Sequence, residues 1–424
     1  MPRSLWSAFA ADRLDHRALQ HIIQRHFPSG SQPGLREVVY PGDGEHAVKL
    51  LFSKDDALTG IEAGPCLTAA LEATLTAALN EALVDTGPCV VRQVRFADHK
   101  VTGSWRYRNH FQIAPIPKHA PQLNCLLGDH PFILEVKITG SKDGFLTSQR
   151  VADSTRTAEL LLAGLVNNSV RHLTARPMYG YWVRLPEDNQ TVYLQPDYHY
   201  ADTPASNDEF SQITTPAPVA FAGDLFGPYG MTAGAPFSIP HELTEVLDMY
   251  YALAADTQNQ FLRSCYWLRQ ANRFFLESFS AAFMAVITAA EALFDTAPAE
   301  KCSACKQPRY RLRSSFAKLL DTYVPLAQTT SGGYGGKPSF RARLKHLYDT
   351  RSQITHGSDL RGWDTAYGFT PLQSRDDNDL RTLLRIMPFA LANWLQEQHK
   401  GKAHEEERME SGGVTESSRE TPMP

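Results

Sequence analysis

Near the end of a basic stretch, Arg351 and His356 pair a permanent positive charge with a side chain that titrates near neutrality. Together they suit chemistry at a phosphodiester. A histidine takes up or returns a proton at a reacting oxygen, while a guanidinium holds a crowded phosphate through paired hydrogen bonds as charge builds. RNA completes the set, because the 2′-hydroxyl beside the scissile phosphate is its own nucleophile. In this reading His356 is the acid or base, Arg351 is the electrophilic clamp, and neither metal nor cofactor is required.

Spacing alone does not single out this pair, since Arg341 and His346 show the same Arg-x4-His arrangement earlier in the same helix. Context does: Leu347 and Tyr348 precede Arg351, Ser352 and Ile354 lie between, and Gly357 follows the histidine. At 100° per residue, positions five apart diverge by about 140°, so the two side chains cannot converge on one face of an undistorted helix. A helix end removes the conflict. Gly357 is a natural left-handed C-terminal cap, which puts His356 in the last turn, where fraying or tightening swings the imidazole toward the arginine. That end of a helix also favours an imidazolium. The plainer reading is that Arg351 pairs with an acid or caps its own helix, and His356 merely terminates it.

Around this pair the charge is concentrated. The segment Lys301 to Arg351 carries eleven Lys and Arg against Asp321 and Asp349, although the whole chain has a net charge of −4. Arg309, Arg311, Arg313, Lys337, Arg341 and Lys345 are the candidates for phosphate contacts. Glu291, in the apolar run AVITAAEALF, is a carboxylate that is costly there unless a basic side chain meets it.

Other signals are thinner. Cys302 and Cys305 form one CxxC, half of a tetrahedral zinc site, with the remaining cysteines far off in sequence. SGGYGGKP fails as a phosphate loop, because Ser331 replaces the first glycine and Pro338 follows Lys337. In PFILEVKI, Glu135 and Lys137 share one face of a strand, as in a PD-(D/E)xK metal nuclease, with Asp98 or Asp129 as the upstream acid. The same pattern also describes an ordinary solvated sheet face.

AVITAAEALF, the basic helix RLRSSFAKLL and LYDTRSQITHG, in that order, resemble the Apea-like HEPN domain over roughly residues 276 to 359. The resemblance implies a metal-independent endoribonuclease using Arg351 and His356, with Ser352 at the polar position after the arginine. It also implies an acidic residue, Glu291, facing the motif helix, and a homodimer whose two motifs face each other across one cleft. HEPN folds serve equally as non-catalytic RNA-binding or dimerisation scaffolds. The family is common in bacterial defence and stress systems, so the N-terminal half is expected to sense a trigger or restrain the nuclease.

The elements that must position these residues follow from periodicity. The expected fold is an α+β N-terminal domain followed by an all-α HEPN-like helical bundle. Residues 1–200 read as the mixed domain, 201–240 as a Gly/Pro-rich linker, 241–400 as the helical domain and 401–424 as a disordered tail. Met1 to Phe27 reads as one amphipathic helix. REVVYPG, EHAVKLLF, PCVVRQVRF, SWRYRNHFQI and PFILEVKI read as strands. A helix capped by Asp153 or Ser154 follows, and then a hairpin around PEDNQ. Six scattered cysteines and the lack of any apolar run of spanning length point to a reducing, cytoplasmic setting and no membrane.

Overall fold

The computed structural model describes residues 3–9, 16–27, 29–41, 45–97, 99–117, 130–166, 181–184, 191–194, 206–220, 236–275, 277–294, 312–325, 337–356, 364 and 375–412. An N-terminal α+β region with antiparallel sheets is followed by a region of several helices.

The first unit has its own core. Helix α1 (His16–His26) buries Ala18, Leu19, Ile22 and Ile23, a single stripe at helical spacing. The stripe belongs to a core with Val48, Leu50 and Ile61 of an antiparallel meander, β1 (Ser31–Gly34), β2 (Glu37–Tyr40), β3 (Val48–Phe52) and β4 (Leu58–Ala63). Helix α2 (Ala69–Ala82) starts at Thr68, whose hydroxyl accepts from the Leu71 amide, and adds Leu75 and Leu79. The single helix expected from Met1 to Phe27 is not formed: residues 3–5 lie along β4, with Leu5 N donating to Ile61 O and Ala63 N to Arg3 O. This pairing buries Leu5 and Phe9 completely, which outweighs local helix propensity.

A second sheet has the order β11-β5-β8-β7-β6, antiparallel throughout. Its strands are β5 (Asp85–Ala97), β6 (Trp105–Tyr107), β7 (Phe111–Pro115), β8 (His130–Ser141) and β11 (Ser206–Asn207). SWRYRNHFQI is not one strand but a hairpin turning at Arg108, Asn109 and His110. Helix α3 (Gly144–Leu165) begins well before Asp153 and Ser154, because Asp143 already caps it by accepting from the Leu146 amide at 3.0 Å. The strands expected on either side of PEDNQ, β9 (Tyr181–Arg184) and β10 (Thr191–Leu194), pair antiparallel, while PEDNQ itself lies outside the described residues.

The described parts of 201–240 are fastened to the fold. β11 pairs with β5, β12 (Val219–Ala220) runs parallel to β13 (Ile239–Pro240), and Ser104 bridges Pro216. Phe237 and Ile239 are buried in one core that runs from the second sheet into the bundle. The bundle comprises α4 (Leu243–Ala252), α5 (Ala255–Phe274), α6 (Phe279–Glu291), α7 (Leu312–Tyr323), α8 (Lys337–Thr355) and α9 (Arg375–Gly412). Helix α3 packs on β8 and on α5, and Gly164 lets it approach so closely that a Cβ there would lie 2.4 Å from Cys265 Sγ. Helix α9 continues twelve residues beyond Lys400, into the expected tail, where Lys, Ala, Glu, Arg and Met are strong helix formers. Among the described residues no helix is long and apolar enough to cross a membrane.

Candidate active site

Phe340, Leu344, Leu347 and Tyr348 are the buried stripe of α8, and α8 packs with it against α6 and α7. Arg351 continues that stripe by one turn. It therefore emerges where α6 ends, and the last residue of α6 is Glu291. Tyr348 Oη donates to Glu291 Oε1 at 2.6 Å, and Arg351 Nη2 donates to Glu291 Oε2 at 3.2 Å. A carboxylate at a helix C-terminus is opposed by the helix dipole, and these two donors offset that cost.

The guanidinium also lies 5.7 Å from the centre of the Tyr348 ring, which packs in turn against Phe316 at 5.6 Å. Burial, reinforced by the hydrogen bond to Glu291, raises the Tyr348 phenol well above its ordinary pKa, so it stays a donor. Arg351 Nε is buried and meets no hydrogen-bond partner among the described residues.

His356 stands at the end of the same helix, as its place before Gly357 leads one to expect. Its amide donates to Ser352 O at 3.1 Å, closing the last turn, and the residue is exposed. Thr355 Oγ1 returns to Arg351 O at 2.9 Å and approaches Met284 Sδ at 3.5 Å, which ties this turn to α6. Gly357 lies outside the described residues.

The basic candidates divide. Arg313 Nη2 pairs with Asp349 Oδ2 at 2.6 Å, Arg341 pairs with the buried Asp321, and Lys345 is exposed. Arg309, Arg311 and the side chain of Lys337 lie outside the described residues, as do Cys302 and Cys305. Arg343, a further basic residue of α8, is held by the buried Asp379.

The rival site in the second sheet is differently built. Glu135 is fully buried and accepts from Arg92 Nε at 2.5 Å, Ser211 Oγ at 2.5 Å, Ser211 N at 3.0 Å and Gln112 Nε2 at 3.0 Å. Four donors fill a carboxylate, which leaves Glu135 no lone pair for a metal. Lys137 shares its strand, while Asp98 and Asp129 lie outside the described residues. No three His, Cys, Asp or Glu side chains among the described residues are grouped to hold a metal ion.

One contact at the far end of α6 has no sequence signal. Asp364 sits at the N-terminus of α6, accepting from Ser278 Oγ at 3.0 Å, Phe279 N at 3.0 Å and Ser280 N at 2.8 Å. Ser278 itself reads as a cap, since its hydroxyl accepts from Ala281 N, but nothing in the spacing announces a second carboxylate from beyond His356. Helix α6 is thus gripped at one end by Tyr348 and Arg351 and at the other by Asp364. No protein-family model, curated protein or solved structure matches the chain.

Proposed function

We propose that the helical region is a HEPN-type bundle and that the chain cleaves RNA without a metal, using Arg351 and His356. The observation that carries this reading is the guanidinium of Arg351. Glu291 and Tyr348 orient it, its side chain keeps 23% of its surface open to solvent, and the helix bearing it ends at an exposed histidine. A scissile phosphate oxygen meets the exposed edge of that guanidinium. The 2′-oxygen then forms a bond to phosphorus, the bond from phosphorus to the 5′-oxygen breaks, and a proton passes from the 2′-hydroxyl to the leaving oxygen. His356 handles one of those two transfers. A second copy with its motif across a shared cleft supplies the other. The products are a 2′,3′-cyclic phosphate and a 5′-hydroxyl.

A second reading, a non-catalytic RNA-binding or dimerisation scaffold, is favoured by the same ion pair, because Glu291 already neutralises Arg351. The deciding experiment incubates wild type, Arg351→Ala and His356→Ala with mixed cellular RNA in EDTA and tests the fragment ends. Cleavage by wild type to cyclic phosphate ends, lost in both variants, is the expected result. Intact RNA with all three proteins, together with salt-sensitive RNA binding that survives His356→Ala, decides for the scaffold.

A further inference from the structure

The tip of the hairpin between β6 and β7 carries a second constellation, remote in sequence from the motif helix. Arg108 there has φ 44°, left-handed backbone that a residue with a Cβ adopts only under constraint. The constraint is Asp248 on α4. Its carboxylate takes Arg108 Nε and Nη2 at 2.5 Å each and the Tyr107 hydroxyl at 2.8 Å. With two of its nitrogens fixed by Asp248, the guanidinium is preorganised. The side chain remains 60% exposed.

His110 lies beside it. Its ring stacks on Tyr251 with centroids 4.0 Å apart and planes 21° apart, and Tyr107 stands 5.4 Å from both rings. Hydrogen bonds from His110 N to Tyr107 O at 3.1 Å and from Lys137 N to His110 O at 2.9 Å fix the backbone. One face of the imidazole is therefore packed while the residue is exposed, and neither ring nitrogen has a described partner. Partial burial and the neighbouring Arg108 lower its pKa, so the ring is neutral at pH 7.

Docking the hairpin on α4 explains Tyr107 and Asp248 but not the rest. Glycine at 108 would allow the same turn without strain, and an exposed ring at 110 adds little to a buried joint. We propose that the hairpin tip binds a nucleotide of single-stranded nucleic acid, the base stacking on the open face of His110 and the adjoining phosphate meeting the exposed guanidinium of Arg108. A stacked imidazole and phenol at the surface beside a fixed guanidinium are the chemistry that receives a base and its phosphate. This site goes beyond the cleavage reading and stands without it.

The test uses the full chain and a fluorescent deoxyadenosine hexamer, which lacks the 2′-hydroxyl and cannot be cut by the proposed route, with binding read by anisotropy. His110→Ala weakens binding about tenfold, the size expected for losing one stacked base, and His110→Phe restores it. Arg108→Gln lowers the salt dependence by about one phosphate contact. A hexamer of abasic sites binds wild type no better than the adenine hexamer binds His110→Ala. Absence of binding to wild type, or equal binding by wild type, His110→Ala and Arg108→Gln, overturns the proposal. Equal affinity of wild type for abasic and adenine hexamers does the same.

Discussion

Glu291 and Arg351, sixty residues apart, meet at the ends of two packed helices with Nη2 3.2 Å from Oε2. Tyr348 takes the other carboxylate oxygen, so one side chain orients two donors on the neighbouring helix. Glu291→Gln keeps the shape and removes the charge. It is expected to lower stability by about 1 to 2 kcal/mol, the range for a charge-assisted hydrogen bond that is partly screened, as read by urea denaturation at pH 7. Under the proposed function RNA cleavage falls at the same time, because the guanidinium loses its orientation.

Asp364 offers a test at the opposite end of the same helix. Asp364→Ala withdraws an acceptor from three donors at the start of α6 and should cost about 1 to 2 kcal/mol, whereas Asp364→Asn should retain a large part of the cap. A melting temperature that does not move in Asp364→Ala would show that the first turn is satisfied without it.

The joint between the second sheet and the bundle rests on a buried carboxylate. Glu159 of α3 is held by Arg95 of β5, almost fully buried, and by Arg269 Nη1 of α5 at 3.1 Å. Glu159→Gln removes the carboxylate charge that Arg95 and Arg269 both meet and should destabilise by roughly 3 to 5 kcal/mol. Replacing both partners with apolar residues, Glu159→Leu with Arg95→Met, should recover much of that loss. If the double variant is as unstable as the single one, loss of the buried Glu159–Arg95 pair is not the cause.

Acidification should loosen the hairpin tip first. The folded-state pKa of His110 is lowered, so as pH falls below the unfolded value of about 6.5 the unfolded chain gains a proton that the folded chain resists, and stability drops. Asp248, lowered chiefly by its hydrogen bonds from Arg108, contributes stability that is lost only at much more acid pH. Urea midpoints at pH 7.5 and pH 5 should therefore differ more for wild type than for His110→Phe.

The helices of the C-terminal region were legible because apolar residues recur there at helical spacing, and the place of Arg351 and His356 at a helix end follows from Gly357. Glu291 was legible as a carboxylate in need of a partner, and Tyr348 and Arg351 supply the need. The split of SWRYRNHFQI was not, since its turn has no glycine and is imposed by Asp248, 140 residues from Arg108. Glu135 misled for the same reason: two of its four donors come from Ser211, 76 residues away. Periodicity reports which face of an element is buried. It does not report which distant polar group completes a buried charge.

Helix α3 places Leu146 in the first core and Ala158 to Val166 in the second, with Glu159 between the sheet and the bundle. Leu146 and Glu159 are about 20 Å apart along a single rod. Two of the grips on that rod are the Asp143 cap, with its 2.6 Å bond from Arg25, and the Glu159 ion pairs. Arg25 is half exposed whereas Arg95 and Glu159 are almost fully buried, so water and salt compete for the first grip and hardly reach the heart of the second.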